Sequence, residues 1–200
     1  MLTAFQNLLA SLAISFDLPI LEWIRANLWC EVLDVGMPII TLFGDGGIFW
    51  IACAVLLFLF PKTRKIGLGM ALALTMGLIV CNMTLKPMVA RIRPYDLQAR
   101  LGVTISLLNG TMHDFSFPSG HTIASFEAAV VLLKNSKKMG IPAMILAVLI
   151  AFSRLYLYVH YPTDVIASIL LGTLFAFIGN ALAGLISPKI RFGKRGKFEA

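Results

Sequence analysis

The sequence predicts an all-α integral membrane protein, built as a bundle of about five transmembrane helices with an interfacial helix at its N-terminus. Hydrophobic residues make up 58% of the 200-residue chain and charged residues only 14%. A soluble domain of this length has too little interior to bury so much apolar side chain, so a bilayer is the natural solvent. The net charge of +7 fits basic cytoplasmic loops, and the expected partners are membrane lipids rather than nucleic acid.

The N-terminal region has the least regular pattern. Residues 3–16 are apolar but short for a membrane span, and residues 18–28 mix apolar side chains with Glu22 and Arg25 at roughly helical spacing. This mixture is typical of an amphipathic helix that lies in the membrane interface. A sixth membrane span is the alternative. The first basic residue is Arg25, so no cleavable signal peptide is expected.

Five apolar stretches follow, each bounded by turn residues or basic residues. A short helix that ends at Phe43 and a turn at Gly44-Asp45-Gly46-Gly47 precede the first stretch, and Pro162 separates the last two. The predicted spans are residues 48–60, 66–85, 122–133 with a start near Ser119, 141–159 and 165–186.

The basic loops determine the predicted orientation. Three basic stretches lie on one side if every span crosses once: residues 62–65, 134–138 and 189–197. Short basic loops stay cytoplasmic, so the polar stretch 86–118 and the turn 161–164 are expected to face outward.

Cations also gather at this predicted outer end. The outward stretch carries basic residues on the side where the positive-inside rule disfavours them, which suggests an electrostatic function: Lys86, Arg91, Arg93 and Arg100. Arg154 lies inside the fourth span, where a charge costs on the order of 3 kcal/mol. It should face the bundle interior and meet an anion, for which Asp164 and a bound ligand are both candidates.

Polar side chains suited to an anion fall at the same end. Pro118-Ser119-Gly120-His121 opens an apolar helix and would present backbone N–H groups, a hydroxyl and an imidazole together. His160 and Asp164 flank Pro162 in a predicted tight helix–turn–helix corner. Asp164 could hold one imidazole N–H of His160 and leave the other nitrogen free as a nucleophile, while a structural His–Asp contact is the alternative.

The spacing of these residues resembles the three-part signature of the type 2 phosphatidic acid phosphatase (PAP2) superfamily. The three parts are Lys86-x6-Arg93-Pro94, Pro118-Ser119-Gly120-His121 and Ser153-Arg154-x5-His160-x3-Asp164, with every signature position matched in order. The resemblance covers roughly residues 46–186. Together with the apolar and basic patterns above, it divides the chain into N-terminal interfacial or re-entrant helices at 1–43, a transmembrane catalytic domain at 44–188 and a basic cytoplasmic tail at 189–200.

The resemblance also implies a role for each matched residue. His160 would be the nucleophile that takes the phosphoryl group, with Asp164 orienting it, and His121 would be the acid that protonates the leaving oxygen. The other positions would bind the phosphate oxygens: Lys86, Arg93, Ser119, Gly120 and Arg154. Arg91 lies between motif positions and would be at most a helper.

The residue types themselves favour phosphate chemistry without a metal. Phosphoryl transfer needs stabilisation of charge on the phosphate oxygens, which planar guanidinium groups can supply. The outer carboxylates show no metal-ligand pattern, so neither a metal nor another cofactor is expected: Asp45, Asp96, Asp114 and Asp164. His160 must be neutral to attack and His121 must be charged to donate a proton, which predicts a bell-shaped dependence of the rate on pH.

The expected function is that of a membrane lipid phosphatase that forms a phosphohistidine at the outer surface of a bacterial cytoplasmic membrane. The candidate substrates are undecaprenyl diphosphate, phosphatidate and phosphatidylglycerol phosphate. Two alternatives stay open at this point. One is a non-catalytic lipid-phosphate binding or transport protein, and the other is a vanadate-dependent haloperoxidase, a class with a similar signature whose members are soluble and larger.

Overall fold

The computed structural model describes residues 2–186 and confirms the all-α membrane fold, with no strand among those residues. Five helical stretches are long and apolar enough to cross a membrane: Leu2–Leu28, Glu31–Leu59, Arg64–Arg100, Lys137–Tyr156 and Pro162–Ile186. Large apolar side chains such as Leu59, Leu170 and Leu185 stay exposed on these helices, as contact with lipid requires. The predicted basic tail at 189–200 lies outside the described residues.

Ten α-helices follow one another along the described chain. They are α1 (Leu2–Leu12), α2 (Leu18–Leu28), α3 (Glu31–Leu42), α4 (Ile48–Leu59), α5 (Arg64–Met76), α6 (Lys86–Val89), α7 (Pro94–Arg100), α8 (Gly120–Asn135), α9 (Lys137–Tyr156) and α10 (Pro162–Ile186). Two π-helical segments, Ala13–Asp17 and Gly77–Leu85, continue α1 and α5, and a 3₁₀ turn at Asp45–Gly47 precedes α4. The ends of the predicted spans agree with these elements to within four residues.

Helix α8, which the sequence predicts as the third span, is the centre of the bundle. Its 16 residues extend about 24 Å, which is less than the roughly 30 Å of a hydrocarbon core. Buried residues point in all directions around it, among them Thr122, Ile123, Ala128 and Val131. It contacts α4, α5, α9 and α10, so its neighbours shield it from lipid. A helix in this position does not need the length of a lipid-exposed span.

Helices α5 and α10 approach each other closely because small residues lie at their crossing. A Cβ atom at Gly179 would lie 2.7 Å from the carbonyl oxygen of Gly69 and 2.8 Å from the backbone nitrogen of Ala73. Small residues at such crossings are the usual way in which membrane helices gain packing contact.

The N-terminal helix runs without a break from Leu2 to Leu28, although the sequence predicts two shorter pieces. Pro19 follows the first π-helical segment and falls in the first turn of α2, where its missing N–H is tolerated. The 27 residues of this helix are enough to cross a bilayer by length and composition.

The polar contacts of this helix lie at the end of the bundle that carries the signature residues. The Gln6 side chain donates to the carbonyl oxygen of Val89 at 3.1 Å, and the Gln98 side chain donates to Glu22 at 2.9 Å. Polar contacts at one end of the bundle only are expected of a helix that lies across that end. The interfacial position of this helix therefore remains our prediction, with the membrane span as the alternative.

The predicted glycine turn separates α3 from α4. Gly46 has φ +56° and Gly47 has φ +66°, in the left-handed region that favours glycine. The turn places Thr41, at the end of α3, beside the C-terminal end of α9, and it places Asp45 beside the start of α8. Thr41 and Asp45, which lie outside the signature, thus contact the signature residues Arg154 and His121.

Candidate active site

A cavity of about 470 Å³ lies at this end of the bundle and extends down between α4, α5 and α8. Six residues that the sequence predicts as site residues line it: Lys86, Arg93, Gly120, His121, Arg154 and His160. Its deeper walls are largely apolar and include Ile51, Ala54, Val55 and Leu74. The predicted residues Ser119 and Asp164 are fully buried and do not line the cavity.

His160 lies in the corner between α9 and α10 and is only 2% exposed. Its Nε2 atom lies 3.4 Å from Nη1 of Arg93, and its Nδ1 atom lies 3.5 Å from Oδ2 of Asp164. The predicted corner therefore brings His160 and Asp164 together, but Nδ1 makes no hydrogen bond with any described residue. The ring faces the cavity on one side and the carboxylate on the other.

The protonation state of His160 follows from its surroundings. Burial lowers the pKa of His160 well below its ordinary value, and the positive charges of Arg93, Arg154 and Lys86 lower it further. The imidazole is therefore neutral at neutral pH, and a neutral imidazole has a lone pair available for attack on an electrophile.

Asp164 is fixed by a buried network behind His160. It forms an ion pair with Arg91, and it accepts hydrogen bonds from the hydroxyl of Ser116 and, at 3.0 Å, from the backbone N–H of Tyr161. Arg91 also donates to Asp17 at 2.7 Å, which ties the N-terminal helix to the network. The expectation that Asp164 could pair with Arg154 is therefore wrong, because Arg91 takes that place.

Arg93 and Lys86 share one carboxylate. Oδ1 of Asp114 lies 2.5 Å from Nη2 of Arg93, and Oδ2 lies 2.5 Å from Nζ of Lys86. Partial burial alone would raise the pKa of Asp114, but the hydrogen bonds and charges of Lys86 and Arg93 outweigh it and lower the pKa to about 2. The Asp114 carboxylate, which bridges two cations, occupies a place where phosphate oxygens would also bind. Its side chain is 53% exposed.

Arg154 is buried in the cavity wall with most of its donors unused. It is 1% exposed, and among residues 2–186 its guanidinium donates only to the hydroxyl of Thr41, at 2.5 Å. Its Nε atom has no hydrogen-bond partner within this described part of the chain. A guanidinium carries five N–H donors, and a buried charge without a counter-ion is costly, so this side chain is arranged for an anion in the cavity.

The N-terminus of α8 adds further donors. Ser119 caps the helix, accepting a hydrogen bond from the Thr122 hydroxyl at 3.0 Å, and its own N–H donates to Ser168 at 2.8 Å. The N–H groups of Gly120 and His121 donate to no described residue. Free N–H groups at a helix start favour an anion. The hydroxyl of Ser119 thus supports the helix start, while Gly120 reaches the cavity.

His121 contacts a residue that the signature does not include. Its Nε2 atom lies 2.6 Å from Oδ1 of Asp45, in the glycine turn before α4. The His121 side chain is 18% exposed and that of Asp45 is 49% exposed. His121, the predicted general acid, therefore has a carboxylate partner in Asp45.

Several residues of the site were not predicted from the sequence: Asp17, Thr41, Asp45, Asp114 and Ser116. Asp45 and Asp114 were considered only as carboxylates without a metal pattern. A lone carboxylate in an apolar stretch such as Asp17 is a signal that could have been used. Among the described residues, no group of three or more His, Cys, Asp or Glu side chains could hold a metal ion.

Cations and a neutral histidine at the mouth of an apolar cleft are the features of a membrane protein that handles a phosphate group on a lipid. Comparison with protein families agrees. The PAP2 superfamily model matches residues 64–184, which is more than half of the chain, and the chain belongs to that superfamily.

Two curated relatives show how far the similarity extends. The chain is 38% identical over 130 residues to the undecaprenyl-diphosphatase of Sulfolobus acidocaldarius, covering 64% of this chain and 61% of that relative. It is 29% identical over 158 residues to the undecaprenyl-diphosphatase BcrC of Bacillus subtilis, covering 79% of each protein. The matched region thus spans less than two thirds of the Sulfolobus relative's length.

Two solved structures share the architecture. The crystal structure of Aquifex aeolicus LpxE has a TM-score of 0.71 at 28% identity, covering 83% of this chain and 95% of that one. The structure of a transmembrane PAP2-type phosphatidylglycerolphosphate phosphatase from Bacillus subtilis has a TM-score of 0.66 at 26% identity, covering 96% and 97%. The similarity to the second structure includes nearly the whole chain, with the N-terminal helices.

Proposed function

We propose that the protein is a membrane lipid phosphatase that hydrolyses a phosphate monoester or diphosphate of a lipid through a phosphohistidine at His160. The observation that carries this proposal is the pairing of two buried groups on one cavity. Arg154 has unused donors that call for an anion, and the neutral His160 supplies a nucleophile beside it. Binding alone would require the cations but not a nucleophile, which argues against a non-catalytic binding protein.

In the proposed first step the phosphate lies among Lys86, Arg93 and Arg154, with the free N–H groups at the start of α8. These donors stabilise the charge that develops on the equatorial oxygens. Nε2 of His160 attacks the terminal phosphorus in line with the leaving oxygen, and the P–O bond to that oxygen breaks. The leaving group is the lipid alcohol from a monoester and the lipid monophosphate from a diphosphate. His121 gives a proton to the departing oxygen.

In the second step water replaces the lipid product. His121, now neutral, takes a proton from the water as it attacks the phosphohistidine, the P–N bond breaks, and orthophosphate leaves. Asp164 orients the His160 ring during both steps and stabilises positive charge on it, while Arg91 holds Asp164 in place. The proposed chemistry uses only side chains and water.

The cavity and the relatives support a lipid with a long hydrocarbon chain. The apolar walls below the cations could take the first part of such a chain while the rest stays in the bilayer. The two curated relatives above are undecaprenyl-diphosphatases, so polyprenyl diphosphate is the substrate we propose first. Phosphatidate and phosphatidylglycerol phosphate come next, and we propose that the site faces outward from a bacterial cytoplasmic membrane.

The proposal is tested by phosphate release from these three lipids by the purified protein in detergent. His160→Ala should lower the rate on the order of a thousandfold or more, because the nucleophile is lost. The exposed loop residue His113 offers a matched control, and His113→Ala should keep the wild-type rate. Brief reaction with radiolabelled substrate should trap an acid-labile, alkali-stable phosphoryl group on the wild type and on His113→Ala only.

Three results would contradict the proposal or a part of it. Full phosphate release by His160→Ala would exclude the phosphohistidine. Binding of lipid phosphate without release by the wild type would show a binding or transport protein instead. Activity in the presence of EDTA is also expected, and its loss would contradict the metal-independent chemistry.

A further inference from the structure

The glycine turn before α4 is built around the ring of His121. A Cβ atom at Gly44 would lie 2.6 Å from Cδ2 of His121 and 3.1 Å from its Cβ atom, so only glycine allows the backbone to approach the ring this closely. Gly46 then adopts φ +56°, which a residue with a side chain rarely does. Between these glycines the Asp45 carboxylate meets Nε2 of His121 at 2.6 Å.

The charges that face His121 make this contact important. The titratable or charged side chains that line the same cavity are Lys86, Arg93, Asp114, Glu127, Arg154 and His160. Three of these are permanent or near-permanent cations, and they disfavour a positive charge on the imidazole. An acid that must carry a proton in such surroundings needs an anion in direct contact.

Two other carboxylates are already engaged with cations, and Glu127 lies six residues further along α8, beside Gly77. Asp114 bridges Lys86 and Arg93. Asp164 pairs with Arg91 behind the nucleophile. Among residues 2–186, Asp45 is the carboxylate that contacts His121. Nδ1 of His121 has no hydrogen-bond partner among the same residues, and it is the ring nitrogen left for the substrate.

We propose that Asp45 is a positioning residue that holds the Nε2–H of His121, favours the protonated form of the imidazole and leaves the Nδ1–H to protonate the leaving oxygen. The inference rests on the proposed function and deepens it. When the lipid P–O bond breaks, the Nδ1 proton moves to the lipid oxygen, and the imidazole becomes neutral with its remaining proton on Nε2. Asp45 fixes this tautomer, so Nδ1 is then free to take a proton from the attacking water.

The test compares leaving groups of different basicity. An alkyl monophosphate leaves as an alkoxide and needs the proton, whereas p-nitrophenyl phosphate leaves as a stabilised phenolate and hardly needs it. Asp45→Asn keeps the size of the side chain and removes its charge. We expect kcat on the alkyl monophosphate to fall about ten- to hundredfold, as for loss of general acid catalysis, with KM nearly unchanged. On p-nitrophenyl phosphate kcat should stay within about twofold of the wild type.

The dependence of kcat on pH gives a second test of the Asp45→Asn variant. Without the anion, His121 should lose its proton more easily, so the alkaline limb of kcat on the alkyl monophosphate should move to lower pH. Asp45→Glu, which restores the charge, should recover part of the rate. Asp96→Asn is the matched control, because Asp96 is exposed on α7 and makes no hydrogen bond or ion pair among the described residues; it should behave as the wild type.

Three outcomes would overturn the inference. Equal losses on both substrates would show a structural role for Asp45. A lower KM with an unchanged or higher kcat would show that Asp45 merely competes with the phosphate. Wild-type behaviour of Asp45→Asn would show no role at all. If the wild type itself releases no phosphate from any substrate, the proposed function fails and this inference falls with it.

Discussion

The two histidines that line the cavity are held in opposite ways. His160 is 2% exposed and has the buried Arg93 on one side and the buried Asp164 on the other. His121 keeps 18% of its side chain exposed, and its partner Asp45 stands in a glycine turn and is 49% exposed. One histidine is thus surrounded by a buried network, and the other lies at a more exposed edge of the cavity.

The difference fits the two tasks that we propose. A nucleophile must be neutral and aimed, which burial and a rigid network provide. An acid must exchange protons with the lipid oxygen and with water, which requires access to solvent. Breaking the network behind His160 should therefore damage stability and chemistry together, whereas changes beside His121 should act mainly on proton transfer.

The largest effect is expected from Arg91→Leu. It would leave Asp17 and Asp164 buried without their cation, which costs about 3–5 kcal/mol of stability for a broken buried ion pair. Thermal unfolding in detergent and phosphate release should both fall sharply. Arg100→Leu is the control, because Arg100 is exposed on the same outer segment and should change neither measurement. Unchanged stability of Arg91→Leu would mean that the network does not support the nucleophile.

A smaller and more selective effect is expected from Gly44→Ala. The added methyl group would press on the His121 ring, and overpacking of this kind costs about 1–3 kcal/mol. We expect kcat to fall about tenfold on an alkyl monophosphate, with p-nitrophenyl phosphate affected less. Gly36→Ala in α3, where a methyl group meets nothing within 4 Å, should be neutral or slightly stabilising. An equal loss of kcat on both substrates would show that the glycine turn also positions residues other than His121.

The smallest change is expected on the acid side of the pH profile. Because burial lowers the pKa of His160, the nucleophile should stay neutral below pH 6.5. An ordinary histidine would be about nine tenths protonated at pH 5.5, whereas here kcat/KM should fall less than about threefold between pH 7 and 5.5, after correction for the substrate's own titration. A half-point at or above pH 6.5 would contradict the assignment.

The same shift in pKa has a consequence for stability. The unfolded chain takes up a proton at His160 near pH 6.5, and the folded protein does not. Stability should therefore be lost as pH falls below about 6.5. The stability of the wild type and of His160→Ala can be measured side by side as the pH is lowered. Only the wild type should show the part of the loss that comes from protonation of His160.

Local sequence patterns were sufficient for the helices and for the signature. Apolar stretches bounded by turn or basic residues predicted the long helices from α4 onward to within four residues, and Gly44-Asp45-Gly46-Gly47 predicted the break before α4. The central position of α8 could not be predicted, because a short apolar helix surrounded by protein has the same composition as a short lipid-exposed one. The continuity of the N-terminal helix through Pro19 depends on the π-helical segment before it, which leaves no clear pattern in the sequence.

The sequence by itself determined which residues carry the proposed chemistry, because their spacing along the chain matches the family signature. The tertiary structure alone decided which partner each of them has. The contact between Asp45 and His121 joins residues 76 positions apart, and that between Thr41 and Arg154 joins residues 113 apart. Helical periodicity specifies neighbours three or four residues away, whereas contacts at these separations depend on how the helices pack. His121 was recognisable from its motif, but its carboxylate partner follows only from the close approach of a glycine turn.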